Sequence, residues 1–132
     1  MIGIVIVSHS KKAAEGICEL AMQMADPQLR ILTAAGMPDG SLGTDPVTIQ
    51  QAVEAADSGD GVLVFADLGS AVLNIDFAFE LLSEELRQRV ALADAPLLEG
   101  VVLGAIEASV PQATLQRVLE TAETAHDLQK RL

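Results

Sequence analysis

Met1-Ile2-Gly3-Ile4-Val5-Ile6-Val7-Ser8-His9-Ser10 opens the chain, and this stretch decides the fold. From Ile2 to Val7 the side chains form a near-continuous β-branched run. A strand with one wet face alternates apolar and polar residues. An unbroken run of this kind is the mark of a strand buried on both faces in a parallel sheet. The run stops abruptly at three polar residues, Ser8, His9 and Ser10.

The same alternation of strand and helix continues downstream. Ala13, Ile17, Leu20, Ala21 and Met24 recur at helical spacing, with Lys11, Lys12, Glu15, Glu19 and Gln23 on the opposite side. Asp26-Pro27 ends that helix, and Leu29 to Thr33 reads as a second strand. A Gly-, Pro-, Asp- and Ser-rich stretch follows from Ala34 to Asp45, about twice the usual α/β connection of roughly 2–6 residues. Asp45-Pro46 is a good cap and first-turn pair for a helix with Ile49, Ala52, Val53 and Ala56 inward. Ser58-Gly59-Asp60-Gly61 turns the chain into a third strand, Val62 to Ala66. Asp67-Leu68-Gly69-Ser70-Ala71 leads into a helix burying Ile75, Phe79, Leu82 and Leu86. A short fourth strand is expected at Val90 to Ala93. A helix from about Leu97 to Ala108 comes next, then a last one from near Pro111 with Leu115, Val118, Leu119 and Ala122 inward. The pattern predicts an α/β fold: an open, mainly parallel four-stranded sheet in the order 2-1-3-4, with helices on both faces. Residues 1–132 read as a single domain.

Composition narrows the function. Half of the 132 residues are apolar, yet there is no Trp, no Tyr and only three Phe, so the core is aliphatic. No apolar run approaches the ~20 residues of a membrane span. The first residues lack the basic leader of a signal peptide, which leaves a cytoplasmic protein as the expectation. A net charge of −11 argues against binding nucleic acid or an anionic membrane. It fits either simple solubility or a basic protein partner. Cys18, the one cysteine, reads as a small hydrophobe rather than a reactive thiol. Two histidines and one cysteine far apart give no metal-ligand spacing, so neither a metal nor a cofactor is expected.

In open parallel sheets ligands bind at the carboxyl ends of the strands, where strand order reverses. That edge collects Ser8-His9-Ser10, Gly43-Thr44-Asp45, Asp67-Leu68-Gly69-Ser70 and Ala95-Pro96-Leu97-Leu98-Glu99-Gly100. His9 is the reactive candidate. A neutral imidazole is nucleophilic near pH 7 and can carry a phosphoryl group, provided that its other nitrogen gives its proton to an acceptor. Asp67 is the candidate acceptor. Gly69 and Ser70, and likewise Gly43 and Thr44, precede or open helices whose unpaired N–H groups suit an anion. The same residues also fit plainer roles, with His9 capping a helix and Asp67 closing the turn before Ser70. His126, beside Asp127, reads as a solvated surface histidine.

Several common devices are missing. The sequence has neither a G-x-x-x-x-G-K-[ST] loop nor a G-x-G-x-x-G after the first strand. It lacks the acidic pair that a receiver domain carries after strand one. The place before His9 holds Ser8, not the Arg used by phosphatases with a nucleophilic histidine. Without guanidinium groups His9 is poorly equipped to grip a free phosphate ester, and better suited to transfer between proteins.

These motifs together carry a resemblance. Val5-Ile6-Val7-Ser8-His9-Ser10, Ala14-Glu15-Gly16, Ala34-Ala35-Gly36 with Gly43-Thr44-Asp45, Asp67-Leu68-Gly69-Ser70-Ala71 with Asn74, and Ala95-Pro96-Leu97 with Glu99-Gly100 occur in order along nearly the whole chain. So arranged, the chain resembles the phosphotransferase subunit of PEP-dependent dihydroxyacetone kinase, within the mannose-type enzyme IIA superfamily of the phosphotransferase system. The resemblance implies that His9 accepts a phosphoryl group from the phosphocarrier HPr. It further implies transfer to ADP on the nucleotide-binding subunit of the kinase, with Asp67 supporting the histidine. Gly43, Thr44, Gly69 and Ser70 would surround the phosphoryl group. A homodimer is implied, and HPr is expected to be a separate protein. Mannose-type relatives tend to read Gly-Gly-Ser-Pro where this chain has Leu68-Gly69-Ser70-Ala71, which favours the dihydroxyacetone branch. The alternatives are an enzyme IIA of a sugar transporter and a binding module regulated by phosphorylation of His9.

Overall fold

A computed structural model describes residues 1–131. Four parallel strands, β1 (Gly3–Ser8), β2 (Ile31–Ala35), β3 (Val62–Ala66) and β4 (Val90–Leu92), form one sheet in the order β2-β1-β3-β4. The fold class and strand order are those expected from sequence. Both central strands are lined on two sides. Ile4 and Ile6 of β1, with Leu63 and Phe65 of β3, pack into one core with α1 (Lys11–Met22), α5 (Leu97–Ala108) and α6 (Leu115–Glu123). Val5 and Val7, with Val62 and Val64, pack into another with α2 (Pro46–Ala56) and α3 (Gly69–Leu81). Each strand therefore needs apolar residues at odd and even positions alike, which is why β1 shows no alternation.

Close packing sets the helix sequences too. Phe65 is the largest fully buried side chain, and Gly100 and Gly104 of α5 lie directly against its ring. A Cβ on Gly100 would stand 2.9 Å from the Ala95 methyl and 3.3 Å from the Phe65 ring. On α1 the inward stripe is Ala14, Ile17, Cys18 and Ala21, the i, i+3, i+4, i+7 spacing of one helical face. The sequence expectation there needs correction: Ala13 is exposed, as are Leu20 at 51% and Met24 at 61%. Ala14 and Ala21, fully buried, are where α1 lies nearest the sheet, with Ile17 and Cys18 packed between them. Burial also pushes the Cys18 thiol pKa up, in keeping with an unreactive packing residue.

Other boundaries shift for local reasons. Leu29 is buried but precedes β2, which begins two residues later than expected and ends at Ala35. The expected long helix after Asp67 is broken in two. The chain turns extended at Leu82, and Ser83 caps a separate short helix, α4 (Glu84–Arg87), by accepting from the Leu86 N–H. β4 ends at Leu92, one residue early. The last helix starts at Leu115 rather than near Pro111, because Thr114 accepts from the Arg117 N–H as its cap. His126 lies in a 3₁₀ turn, Thr124–Asp127, and is exposed as expected, with Nε2 2.7 Å from the Asp94 carbonyl oxygen. Among the described residues no helix is long and apolar enough to cross a membrane.

Candidate active site

Strand order reverses between β1 and β3: the chain leaves β1 towards β2 on one side and returns to β3 on the other. Val7 pairs with Ala66 in the register of these two strands. The next residues, Ser8-His9 and Asp67, therefore emerge side by side at the crevice where such sheets bind ligands.

Asp67 is the hub of this edge. Its Oδ1 accepts from the Leu68 N–H at 2.7 Å and lies 3.0 Å from His9 Nδ1. Its Oδ2 accepts from the His9 N–H at 2.9 Å and from the Ser8 hydroxyl at 3.0 Å. Burial acts to raise the Asp67 pKa. The hydrogen bonds from the His9 N–H and ring, the Leu68 N–H and the Ser8 hydroxyl outweigh it, and the carboxyl is held below its ordinary value. An ionised carboxylate only accepts, so the proton of the neutral imidazole belongs on Nδ1 and the lone pair on Nε2. That lone pair faces the Ser70 hydroxyl, with Ser70 Oγ 3.1 Å from Nε2. The His9 side chain is 28% exposed, so the ring is held from behind yet open in front.

The plainer roles open at sequence level divide here. Ser10, not His9, caps α1, accepting from the Ala13 N–H at 3.2 Å. Asp67 does shape the turn before α3, through Leu68, while also holding the imidazole. The two helix starts differ as well. Asp45 closes α2 with its own carboxylate, accepting from the Thr48 N–H at 3.0 Å and hydroxyl at 2.8 Å. By contrast α3 begins at Gly69 and Ser70 with no side-chain cap, and both residues are exposed.

Gly43 enters the site differently from expectation. Its N–H is directed to the His9 carbonyl oxygen at 2.9 Å, so it ties the long loop to the histidine instead of pointing at an incoming group. Its φ of +144° suits glycine, and a Cβ there would crowd the Met37 side chain at 3.0 Å. Thr44 follows. Its hydroxyl and carbonyl oxygens receive the side-chain amide of Asn74 at 2.7 and 3.2 Å. The loop after β4 contributes Ala93, Asp94 and Ala95 to a cleft of about 390 Å³ beside Asp67, Leu68 and Gly69. Glu99 is turned elsewhere, 3.1 Å from the Lys130 ammonium.

Two supporting residues, Ser8 and Asn74, were quoted from sequence without a role in the site. Ser8, only 1% exposed, donates to Asp67 and accepts from the Ser10 N–H at 3.1 Å. A hydroxyl ending an otherwise apolar buried strand was the available signal. Asn74 had a weaker one, its place one helical turn after Ser70.

The arrangement is one nucleophilic nitrogen, oriented by a carboxylate and flanked by a hydroxyl and an uncapped helix start. The family model of the PTS system fructose IIA component matches residues 3–119. The chain belongs to that family. Among relatives, the PEP-dependent dihydroxyacetone kinase 2 phosphoryl donor subunit DhaM of Listeria innocua is 34% identical, over 96% of this chain and 100% of its own length. The corresponding DhaM of Escherichia coli is 42% identical over 83% of this chain but only 24% of its own length. This IIA-type chain thus spans the whole of one relative and about a quarter of another. A crystal structure of EF1359, described as a protein of unknown function, superposes with a TM-score of 0.87 and 42% identity, covering 100% of this chain and 99% of that one.

Proposed function

We propose that this chain is a phosphoryl donor subunit working through a phosphohistidine at His9, in the manner named for its DhaM relatives. The observation that carries the reading is the Asp67–His9 pair, which holds Nδ1 and leaves Nε2 at the open edge of the sheet. In the first step Nε2 attacks the phosphorus of phosphorylated HPr. A new P–N bond forms as the one in the donor breaks, and the Nδ1 proton stays shared with Asp67. In the second step the phosphoryl group passes to the terminal phosphate oxygen of ADP on the nucleotide-binding kinase subunit, and His9 is regenerated. The ATP so formed phosphorylates dihydroxyacetone on another subunit.

Positioning and electrostatics supply most of the catalysis in such transfers. Asp67 orients the ring and offsets charge developing on it. Ser70, Thr44 and the start of α3 at Gly69 surround the phosphoryl group, and Gly43 holds the Thr44 loop against His9. The chain acts as one unit over residues 1–132, as a homodimer in the cytoplasm, with no metal or cofactor of its own.

The test is to incubate the chain with PEP, enzyme I and HPr and to follow acid-labile, base-stable phosphate. Label is expected on the wild type and absent from His9→Ala. ADP-loaded kinase subunit should then discharge it. Retention of label by that mixture, with discharge to a transporter component instead, would contradict the kinase assignment.

A further inference from the structure

Asn74 lies outside the group of residues assigned above to the phosphoryl site, yet its placement is specific. It stands one helical turn after Ser70, whose hydroxyl is 3.1 Å from His9 Nε2. Its amide reaches across to Thr44, the residue after Gly43, whose N–H holds the His9 carbonyl at 2.9 Å. Thr44 is thus held between Gly43, which is bonded to the His9 backbone, and Asn74, one turn after the serine that faces the imidazole.

The polarity of this contact has a consequence. The Thr44 carbonyl oxygen only accepts, so the group 3.2 Å from it must be the NH₂ of Asn74. The same NH₂ lies 2.7 Å from Thr44 Oγ1 and can only donate to it. The Thr44 hydroxyl is therefore an acceptor towards Asn74, and its own proton is turned away from that amide. We propose that Asn74 is a positioning residue that sets the Thr44 hydroxyl as a donor to the phosphoryl group on His9 Nε2. The bond to the Thr44 carbonyl also holds the loop in place, so the donor is preoriented before the phosphoryl group arrives. This inference rests on the phosphohistidine reading of His9.

The experiment measures single-turnover phosphoryl acceptance from phosphorylated HPr, as a maximal rate and a half-saturating concentration. Wild type is compared with Thr44→Val, Thr44→Ser, Asn74→Ala, the Thr44→Val/Asn74→Ala double variant and His9→Ala, with thermal melting of each. Thr44→Val keeps the Asn74 bond to the backbone carbonyl, so its effect reports the hydroxyl. A lost hydrogen bond to a charged group predicts a maximal rate roughly 10- to 100-fold lower, with half-saturation unchanged. Thr44→Ser should recover most of that loss. Asn74→Ala should lower the rate in the same parameter, and the double variant should be no slower than the slower single one. Wild-type rates in Thr44→Val, failure of Thr44→Ser to recover, or additive effects in the double variant would overturn the role of Asn74 while His9→Ala stays unlabelled. Label on His9→Ala would instead remove the phosphohistidine reading itself.

Discussion

His9 Nδ1 lies 3.0 Å from Asp67 Oδ1, and the same carboxylate also takes the backbone N–H of His9 at 2.9 Å. One side chain from the end of β3 thus fixes both the ring and the backbone of the residue after β1. Four donor groups share the two oxygens of Asp67: the Ser8 hydroxyl, the His9 N–H and ring, and the Leu68 N–H, so a neutral replacement leaves donors without partners.

Asp67→Asn exchanges one acceptor oxygen for an NH₂ that repels the Nδ1 proton, the Ser8 hydroxyl or a backbone N–H. The ring loses its enforced tautomer. Phosphoryl acceptance is expected to fall by about two to four orders of magnitude. Initial rates of label incorporation check this, with circular dichroism confirming the fold. A rate within a few-fold of wild type would remove Asp67 from the mechanism.

The lowered pKa of Asp67 gives a pH dependence of stability. A carboxylate whose folded pKa is depressed contributes fully above its unfolded value, about 4. That contribution is lost as pH falls through the lower folded value. Asp39, Asp57 and Glu99 are depressed as well, so wild type alone does not isolate the residue. Urea midpoints of wild type and Asp67→Asn, taken from pH 7 down to pH 2, should differ most near neutrality and converge in acid. A gap independent of pH would contradict the assignment.

Two glycines should respond to alanine with opposite sign. Gly16 lies exposed in α1, and a Cβ there meets nothing within 4 Å. Gly16→Ala should stabilise by about 0.5–1 kcal/mol. Gly100→Ala forces its methyl against Ala95 and Phe65, and should cost about 1–3 kcal/mol. Urea denaturation of the two variants settles the signs.

Much of this was legible in the amino acids. Ile2 to Val7 declares a doubly buried strand, and the strand–helix alternation places Asp67 next to the Ser8-His9 segment at the reversal of strand order. The start and end of α5 were read at Leu97 and Ala108, where the structure has them. What escaped depends on contacts between distant segments. Leu29 is buried without entering β2, and apolarity alone does not distinguish the two. Leu20 is more apolar than Ala14, yet Ala14 is the one that faces the sheet, because the helix docks on the stripe of Ala14, Ile17, Cys18 and Ala21 and Leu20 lies off it. The direction of the Gly43 N–H and the reach of Asn74 to Thr44 follow from a loop folding over His9, 30 residues from α3 in the case of Thr44 and Asn74.

The position of the phosphoryl group on the imidazole tests the His9–Asp67 relationship most directly. The chain is loaded from PEP through enzyme I and HPr, with ¹⁵N in its histidines, and examined by ³¹P and ¹⁵N NMR. The expected spectrum has phosphorus coupled to Nε2 of His9, with Nδ1 still protonated. Phosphorus on Nδ1, or a phosphorylated chain with both His9 nitrogens unmodified, would contradict a ring held from behind by Asp67 and charged from the front.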